Sequence, residues 1–386
     1  MIMQLLKEIA IISAGQGAPQ GDKNYCDNGT PFVKAGNLLE LIEDNSIDNI
    51  QKVSYDVAKS HKLKLYPKGT VLFAKSGMSC LKGYVYVLPC DAYVVSHLAC
   101  ITPKIDISQY LKYYFDYNKP NKLVKDPAYP SISLSDIGDL KIKLKDENER
   151  NNIVSSLSKI EEIISLRKRQ LQQLDELVKA RFVELFSHNV DKVPMNSMCV
   201  VSGGYSFKSS DITGDGNIKI LQIGNVYLND VNWDTINYLP EGYDKTYSKF
   251  LLNENDIVVA LTRPIIQSLG NVKACLVKNS DLPCLLNQRV GRIVPRDDTN
   301  VCIKFVYGCL MTDDFTRYVE SCCTGCSQPN ISTKDLDNYM IPNATYEQQI
   351  EFVNFKEQVD KSKSVVQKAL DEAQTLFDSL MQKYFG

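Results

Sequence analysis

No stretch of the 386-residue chain approaches the roughly 18 consecutive apolar residues that a membrane-crossing helix needs. Its first residues, MIMQLLKEIAIISAG, lack the cationic start and the small-residue cleavage site of a signal peptide. These absences leave a cytoplasmic protein without a membrane partner as the expectation. Histidine is scarce. The chain has three, His61, His97 and His188, and none stands at a spacing that would complete a Ser-His-Asp triad or a histidine-ligated metal site. There is no GxxxxGK[ST] phosphate loop, which excludes ATP-driven translocation by this chain. Also missing are a Gly-rich cofactor loop after a strand and an Asp/Asn-Pro-Pro-aromatic motif, the marks of an S-adenosylmethionine-dependent adenine methyltransferase. DPAYP at 126–130 comes nearest, but it lacks the second adjacent proline and reads as a loop. A catalytic role is therefore not expected. Disulfides are not expected either: the 12 cysteines are scattered through a long chain with no export signal, which favours reduced thiols. Cys322, Cys323 and Cys326 have the one metal-like spacing, and without a second ligand pair nearby no metal is expected.

What is present is ordinary globular material, 44% hydrophobic and 23% charged, with room for two or three domains. The net charge of −2 does not announce a nucleic-acid protein. Residues 1–145 hold 18 lysines and no arginine against 14 acids, a balance of +4, whereas 190–344 hold 14 lysines and arginines against 17 acids, a balance of −3. A DNA reader of this composition must gather its positive groups on one face or lean on a partner for phosphate contacts.

The strongest periodic signal runs from 146 to 187. Ile153, Leu157, Ile160, Ile164, Leu171, Leu174, Val178 and Leu185 recur in steps of three and four, with Arg167 in one core slot, which is the seam of a coiled-coil helix. About 40 residues at about 1.5 Å each give a spacer on the order of 60 Å. The chain ends with the same object: adding 199 carries Ile153 to Phe352, Ile160 to Val359, Leu171 to Leu370 and Phe186 to Phe385, and Val366 and Phe377 continue the second seam. Asp146 with Glu149, and Thr345 with Gln348, stand at capping-box spacing, while Asn189 and Gly386 sit where left-handed caps are common. Each helix carries an apolar stripe that pairing with the other removes from water. The chain can return either way; the antiparallel arrangement is expected, with a domain at each end and pseudo-twofold symmetry.

The segments before each helix also repeat. Residues 1–145 read as a mixed α+β domain, with strands at Pro31–Leu39, Thr70–Ala74, Gly83–Leu88 and Ala92–Ile101, a helix at Ile107–Asn118, and turn clusters such as GQGAPQGD between them. In 190–344, KILQIGNVY matches FVKAGNLL, NENDIVVALTR matches PKGTVLFAKSG, VCIKFVYGCL matches QYLKYYFDY, and QPNISTKDLDNYMIP matches YPSISLSDIGDLKIK. The register shift grows from 188 to 199, as when insertions collect in surface loops. The expected division is domain 1–145, helix 146–189, domain 190–344 and helix 345–386.

This order resembles the specificity subunit of Type I restriction-modification enzymes over nearly the whole chain. The resemblance rests on the paired segments above, on ISLSD and ISTKD at the domain ends, and on EQQI (347–350) opening the second helix. The first helix departs from that opening, reading ENERNNI, and the second places Ser362, Lys363 and Ala373 where core apolars are expected. The resemblance implies two target recognition domains, each reading one half of a split double-stranded DNA sequence, and two antiparallel helices that set the gap. It also implies methyltransferase subunits, two of them, docked on the helices, with restriction subunits joining. S-adenosylmethionine, ATP and magnesium would belong to those partners, and this chain would be non-catalytic. A rigid rod with a reader at each end engages only half-sites at a fixed separation.

Base edges are read by Arg, Lys, Asn, Gln, Ser and Thr on short loops. The candidates are Lys34, Asn37, Lys75, Ser76, Lys82 and His97 in the first domain, and Gln222, Asn225, Thr262, Arg263, Gln288 and Arg289 in the second. Asn37 and Asn225 recur at the same place in both repeats and are expected to form turns instead. His97 also fits a satisfied structural histidine, and the stretches from Ser131 to Asp136 and Ser332 to Asp335 should cap helices. Two other readings stand beside this one. The chain could be the specificity partner of a fused nuclease-methyltransferase, or a coiled-coil adaptor; divergence between the two domains disfavours the adaptor.

Overall fold

The computed structural model describes residues 2–44, 46–186, 191–266, 270–323 and 329–386. The chain divides into two compact units, the first comprising Met1–Lys168 with Lys368–Gly386 and the second Arg169–Gln367.

In the first unit the strands are β1 (Ile2–Leu5), β2 (Ala10–Ala14), β3 (Thr30–Val33), β4 (Lys52–Val53), β5 (Val71–Ala74), β6 (Val85–Val87), β7 (Tyr93–Val94), β8 (Leu98–Pro103) and β9 (Lys141–Leu144). They form an antiparallel sheet of order β2-β8-β5-β6, a sheet of order β4-β3-β7, and a β1-β9 pair. β5 reads VLFA and is buried at all four positions, because it lies inside its sheet with both faces covered. The β3-β7 pair is parallel, with Phe32 opposite Tyr93 and Val33 opposite Val94.

The second unit repeats this plan with β10 (Lys192–Pro194), β11 (Cys199–Gly203), β12 (Ile218–Leu221), β13 (Tyr238–Leu239), β14 (Ile257–Ala260), β15 (Ile265–Ile266), β16 (Asn271–Val272), β17 (Ala274–Leu276), β18 (Cys284–Leu286), β19 (Val290–Pro295) and β20 (Met340–Pro342). Its sheets run β11-β19-β14-β17, β13-β12-β18 and β10-β20, the same orders as in the first unit, with a β15-β16 hairpin added. The β12-β18 pair is again parallel. The repeat read from sequence is thus a repeat of topology.

Two expected strands differ in detail. The run from Pro31 to Leu39 ends at Val33 and becomes the helix Asn37–Asp44, because Leu38 and Leu41 recur at helical spacing and are both buried. The run from Ala92 to Ile101 breaks into β7 and β8, with a tight turn at Val95–Leu98 closed by the Leu98 N–H donating to the Val95 carbonyl (3.0 Å). The expected helix is present as Ser108–Tyr117.

The long helices each have 40 residues, Glu147–Phe186 and Tyr346–Phe385. Asp146 Oδ1 accepts from the Glu149 N–H (2.8 Å), and Thr345 Oγ1 accepts from the Gln348 N–H (3.4 Å) while Gln348 Oε1 accepts from the Thr345 N–H (3.0 Å). The departure of the first helix from the EQQI opening is compensated chemically: Arg150 donates to the Lys145 carbonyl (2.6 Å) as Gln349 donates to the Ala344 carbonyl (2.9 Å), each reaching five residues back. Gly386 continues the helical ladder to the Gln382 carbonyl (2.9 Å) and does not take the left-handed conformation expected of it. Asn189 lies outside the described residues.

The seam residues divide between the units. In the first, Ile153 and Leu157 enter the domain core with Met381, while Ile160, Ile164 and Ala373 form a buried cluster flanked by Leu370 and Phe377. Tyr113 anchors the domain to this layer, donating to Glu161 Oε2 (2.5 Å) beside a Lys112–Glu161 ion pair (2.8 Å). In the second, Phe186 and Phe352 are buried with Phe305 around half-buried Phe182, at ring-centroid distances of 5.0–5.8 Å. Val359 and Val366 are buried, and Leu171, Leu174 and Val178 half-buried. Lys363, in a core slot, is neutralised by Asp175 (2.5 Å), and Arg181 pairs with Glu351. Ser362 lies off the stripe: it is exposed and donates to its own helix at the Gln358 carbonyl (3.1 Å).

Candidate nucleic-acid interface

In each unit four chain segments leave the sheets at one place. In the first unit they are Gly15–Gln16 after β2, Lys34 after β3, Lys75–Ser76 after β5 and the Val95–His97 turn between β7 and β8. Main-chain bonds lace them together. Gln16 N–H donates to the Val94 carbonyl (2.8 Å), Ser96 N–H to Gln16 (2.8 Å), Val95 N–H to Val33 (3.0 Å) and Lys75 N–H to His97 (2.9 Å). The loop at 130–132 joins through Gly77 N–H to the Pro130 carbonyl (3.0 Å) and Ile132 N–H to Lys75 (2.7 Å).

The second unit builds the same lattice from different side chains. Tyr205 N–H donates to the Leu286 carbonyl (3.0 Å), Gln288 N–H to Tyr205 (2.8 Å), Asn287 N–H to Leu221 (3.0 Å) and Leu261 N–H to Arg289 (2.9 Å). Arg263 N–H donates to the Pro329 carbonyl (2.8 Å) and Ile331 N–H to Leu261 (2.9 Å). Bond by bond, Gln16 corresponds to Tyr205, Ser76 to Thr262, Gly77 to Arg263, and His97 to Arg289.

The sequence candidates fall into two groups. Lys75, Ser76 and His97 meet on this face in the first unit, and Thr262, Arg263, Gln288 and Arg289 in the second. Ser76 Oγ and His97 Nδ1 are 2.8 Å apart, and the His97 side chain is otherwise exposed. Lys82 is exposed at the end of the 3-10 turn Met78–Lys82 and holds no ion pair among the described residues. The other group is internally satisfied. Lys34 Nζ donates to Gln51 Oε1 (2.6 Å) and lies 4.5 Å from the centre of the Tyr25 ring. Gln222 Oε1 accepts from Asn237 Nδ2 (2.7 Å).

Asn37 and Asn225 are turn formers. Asn37 Oδ1 accepts from the Lys34 N–H (2.9 Å) and Asn225 Oδ1 from the Gln222 N–H (3.0 Å). Asn225 is also buried and donates to the Asn232 and Thr235 carbonyls, both at 2.9 Å. Asn225→Ala should therefore destabilise the second unit by about 2–3 kcal/mol, since it orphans buried groups. Asn37→Ala, at a half-buried site, should have a smaller effect. Urea denaturation of the two variants checks the ordering, and equal losses would contradict it.

Gln16 and Tyr205 were not among the candidates. Their signal was available, because each follows a glycine directly after a strand, in GQG and GGYS, but such clusters read only as turns. Gln16 Nε2 donates to the Lys62 carbonyl (3.1 Å), whereas the exposed Tyr205 packs its ring at a tilt against Tyr247 (4.8 Å between centroids) and Phe250 (5.3 Å).

Burial pushes the thiols of Cys100, Cys199 and Cys275 up to about 12, so they stay protonated at neutral pH. Ser133 and Ser332 cap short helices, accepting from the Asp136 (3.0 Å) and Asp335 (3.1 Å) N–H groups. No three His, Cys, Asp or Glu side chains stand together as a metal site requires, among the described residues. Cys326 and His188 lie outside them.

The family described as Type I restriction modification DNA specificity domain matches residues 4–176 and 188–373. The chain belongs to this family. Among relatives of the specificity-domain family, the Type I restriction enzyme MjaVIII specificity subunit of Methanocaldococcus jannaschii is 29% identical over 243 residues, which cover 58% of this chain and 56% of that protein. The EcoAI specificity subunit of Escherichia coli is 33% identical over 139 residues, 36% of this chain and 23% of that one. The chain thus aligns with about half or less of the length of these curated relatives. The specificity-domain fold is shared with a crystal structure of a Type I restriction-modification S subunit from M. genitalium, at a TM-score of 0.60 and 14% identity, covering 100% of this chain and 96% of that one. A chain from a structural study of complex assembly and conformational transition of the type I R-M system gives a TM-score of 0.59 at 17% identity, covering 100% and 97%. No helix among the described residues is long and apolar enough to cross a membrane.

Proposed function

We propose that this chain is the non-catalytic DNA-specificity subunit of a Type I restriction-modification complex. The domain at 1–145 reads one half of a split target, and the domain at 190–344 reads the other. One observation carries this reading: the same main-chain lattice is built twice and dressed with unlike side chains, Gln16, Ser76 and His97 in one unit against Tyr205, Thr262 and Arg289 in the other. Two readers of unlike sequences need a common scaffold and different tips, whereas an adaptor gains nothing from unlike tips on a common scaffold.

The long helices then act as an antiparallel coiled coil that fixes the gap and presents a surface to methyltransferase subunits. Supporting this are the heptad stripe and the ion pairs within the second unit, where Arg181 meets Glu351 and Asp175 meets Lys363, so that falling numbers on one helix meet rising numbers on the other. Partners supply adenine methylation, with its S-adenosylmethionine, and any ATP- and magnesium-dependent cleavage. They also supply phosphate contacts that a chain of net charge −2 lacks.

The test is to map modified adenines across the source genome with the gene intact and deleted. Deletion should abolish methylation at one split motif with a fixed gap. An unchanged map would refute the proposal.

A further inference from the structure

We infer that Arg263 and Arg289 form a guanine-reading pair, which commits the half-site of the second unit to at least one G·C pair read through the guanine edge. The inference rests on the specificity reading above and adds to it the base class.

Five arginines lie between 190 and 344: Arg263, Arg289, Arg292, Arg296 and Arg317. Three are committed to carboxylates, Arg292 to Asp256 (2.7 Å), Arg296 to Asp298 (3.0 Å) and Arg317 to Asp314. The remaining two are exposed and have no carboxylate partner among the described residues. They are also the two that stand on the convergent face, tied to one short stretch of backbone. Leu261 N–H donates to the Arg289 carbonyl, and Arg263, two residues further on, donates to Pro329.

Both take a backbone conformation that a long side chain rarely adopts, with φ of 48° at Arg263 and 67° at Arg289. At the place of Arg263 the first unit has Gly77, with φ of 77° and the same bond to a proline carbonyl. The lattice therefore accepts glycine there, yet the second unit carries a guanidinium against a conformational cost. A free, planar, bidentate donor fixed at the tip of a reading loop matches the O6 and N7 acceptors of guanine, which no other base presents together. The first unit cannot use this device, because residues 1–145 contain no arginine.

The experiment replaces the chromosomal gene with Arg263→Gly or Arg289→Gly and maps adenine methylation in the source strain. Glycine relieves the backbone conformation, so folding is preserved, and methylation that continues at a split motif confirms it. Arg317→Ala, off the face, serves as control and should leave the motif unchanged. Each glycine variant should keep the gap and one half-site intact while losing about tenfold or more of its discrimination at one G·C pair in the other half. Two results would overturn the inference while leaving the specificity reading standing. One is a wild-type motif with no G·C pair in the half that responds to these variants. The other is a uniform fall in methylation with the motif unchanged, which marks phosphate contacts. A methylation map unaffected by deletion of the gene would instead bring down the specificity reading, and this inference with it.

Discussion

Gly204→Ala is expected to abolish methylation at the split motif while leaving the first unit folded and the protein soluble. A Cβ at Gly204 would stand 2.1 Å from the Asn287 carbonyl oxygen, 2.4 Å from its carbon and 2.7 Å from the Leu286 oxygen. All three are main-chain atoms, so no side-chain rotation relieves the clash, and the Asn287–Arg289 turn has to move. That turn carries Gln288 and Arg289, and its displacement misplaces the proposed reading tip by an ångström or so, enough to forfeit aligned hydrogen bonds. Gly15→Ala should do the same to the first unit, where the Cβ would lie 2.2 Å from the Val94 oxygen and 2.3 Å from the Val95 oxygen. Gly17→Ala and Gly224→Ala meet nothing within 4 Å and should be silent. Methylation of a plasmid bearing the motif, measured alongside thermal unfolding of each variant, checks all four. Normal methylation by Gly204→Ala would show that the lattice does not position the reader.

Phe352→Ala should cost about 3–5 kcal/mol, the usual penalty for emptying a buried aromatic site, and so consume a large part of a domain's stability. Phe352 is 1% exposed, with ring centroids 5.3 Å from Phe182 and 5.8 Å from Phe186. It also lies so close to the helix Ile303–Leu310 that a Cβ at Gly308 would come within 2.6 Å of its ring. The two positions are therefore coupled. Gly308→Ala alone should destabilise by overpacking, but in the Phe352→Ala background its methyl enters the vacated space, so the double variant should be more stable than the sum of the single losses predicts. Urea denaturation of the four proteins closes the cycle. Strict additivity would mean that this helix and Phe352 do not share a packed contact.

The parts of the molecule legible in the sequence are those with local causes. The long helices announce themselves by heptad spacing and by caps such as Asp146 and Thr345, because periodicity and capping act within a turn or two. Asn37 and Asn225 were legible as turn formers for the same reason. Membership of the candidate interface was not. Gln16 meets Ser96, and Tyr205 meets Gln288, only because strands distant in sequence are brought together, and a glycine that permits close approach looks in sequence like any turn glycine. Lys34 and Gln222 had the right chemistry in the right segment, yet Gln51 and Asn237 engage them, partners 17 and 15 residues away that periodicity does not reveal. The strand expected to run to Leu39 ended early because a helical pair, Leu38 and Leu41, outweighed a β-favouring run.

The lattice that gathers the proposed reading tips consists chiefly of N–H to carbonyl bonds, and this shapes how such a chain can change over generations. Bonds between peptide groups are indifferent to the side chain attached, so exposed positions such as 97 and 288, which are not in the left-handed backbone region, can be rewritten with little loss of stability. Selection on what is recognised is thereby separated from selection on staying folded. A lineage can try new targets by single substitutions at the tips, while the glycines beneath them, which admit no alternative, stay as they are.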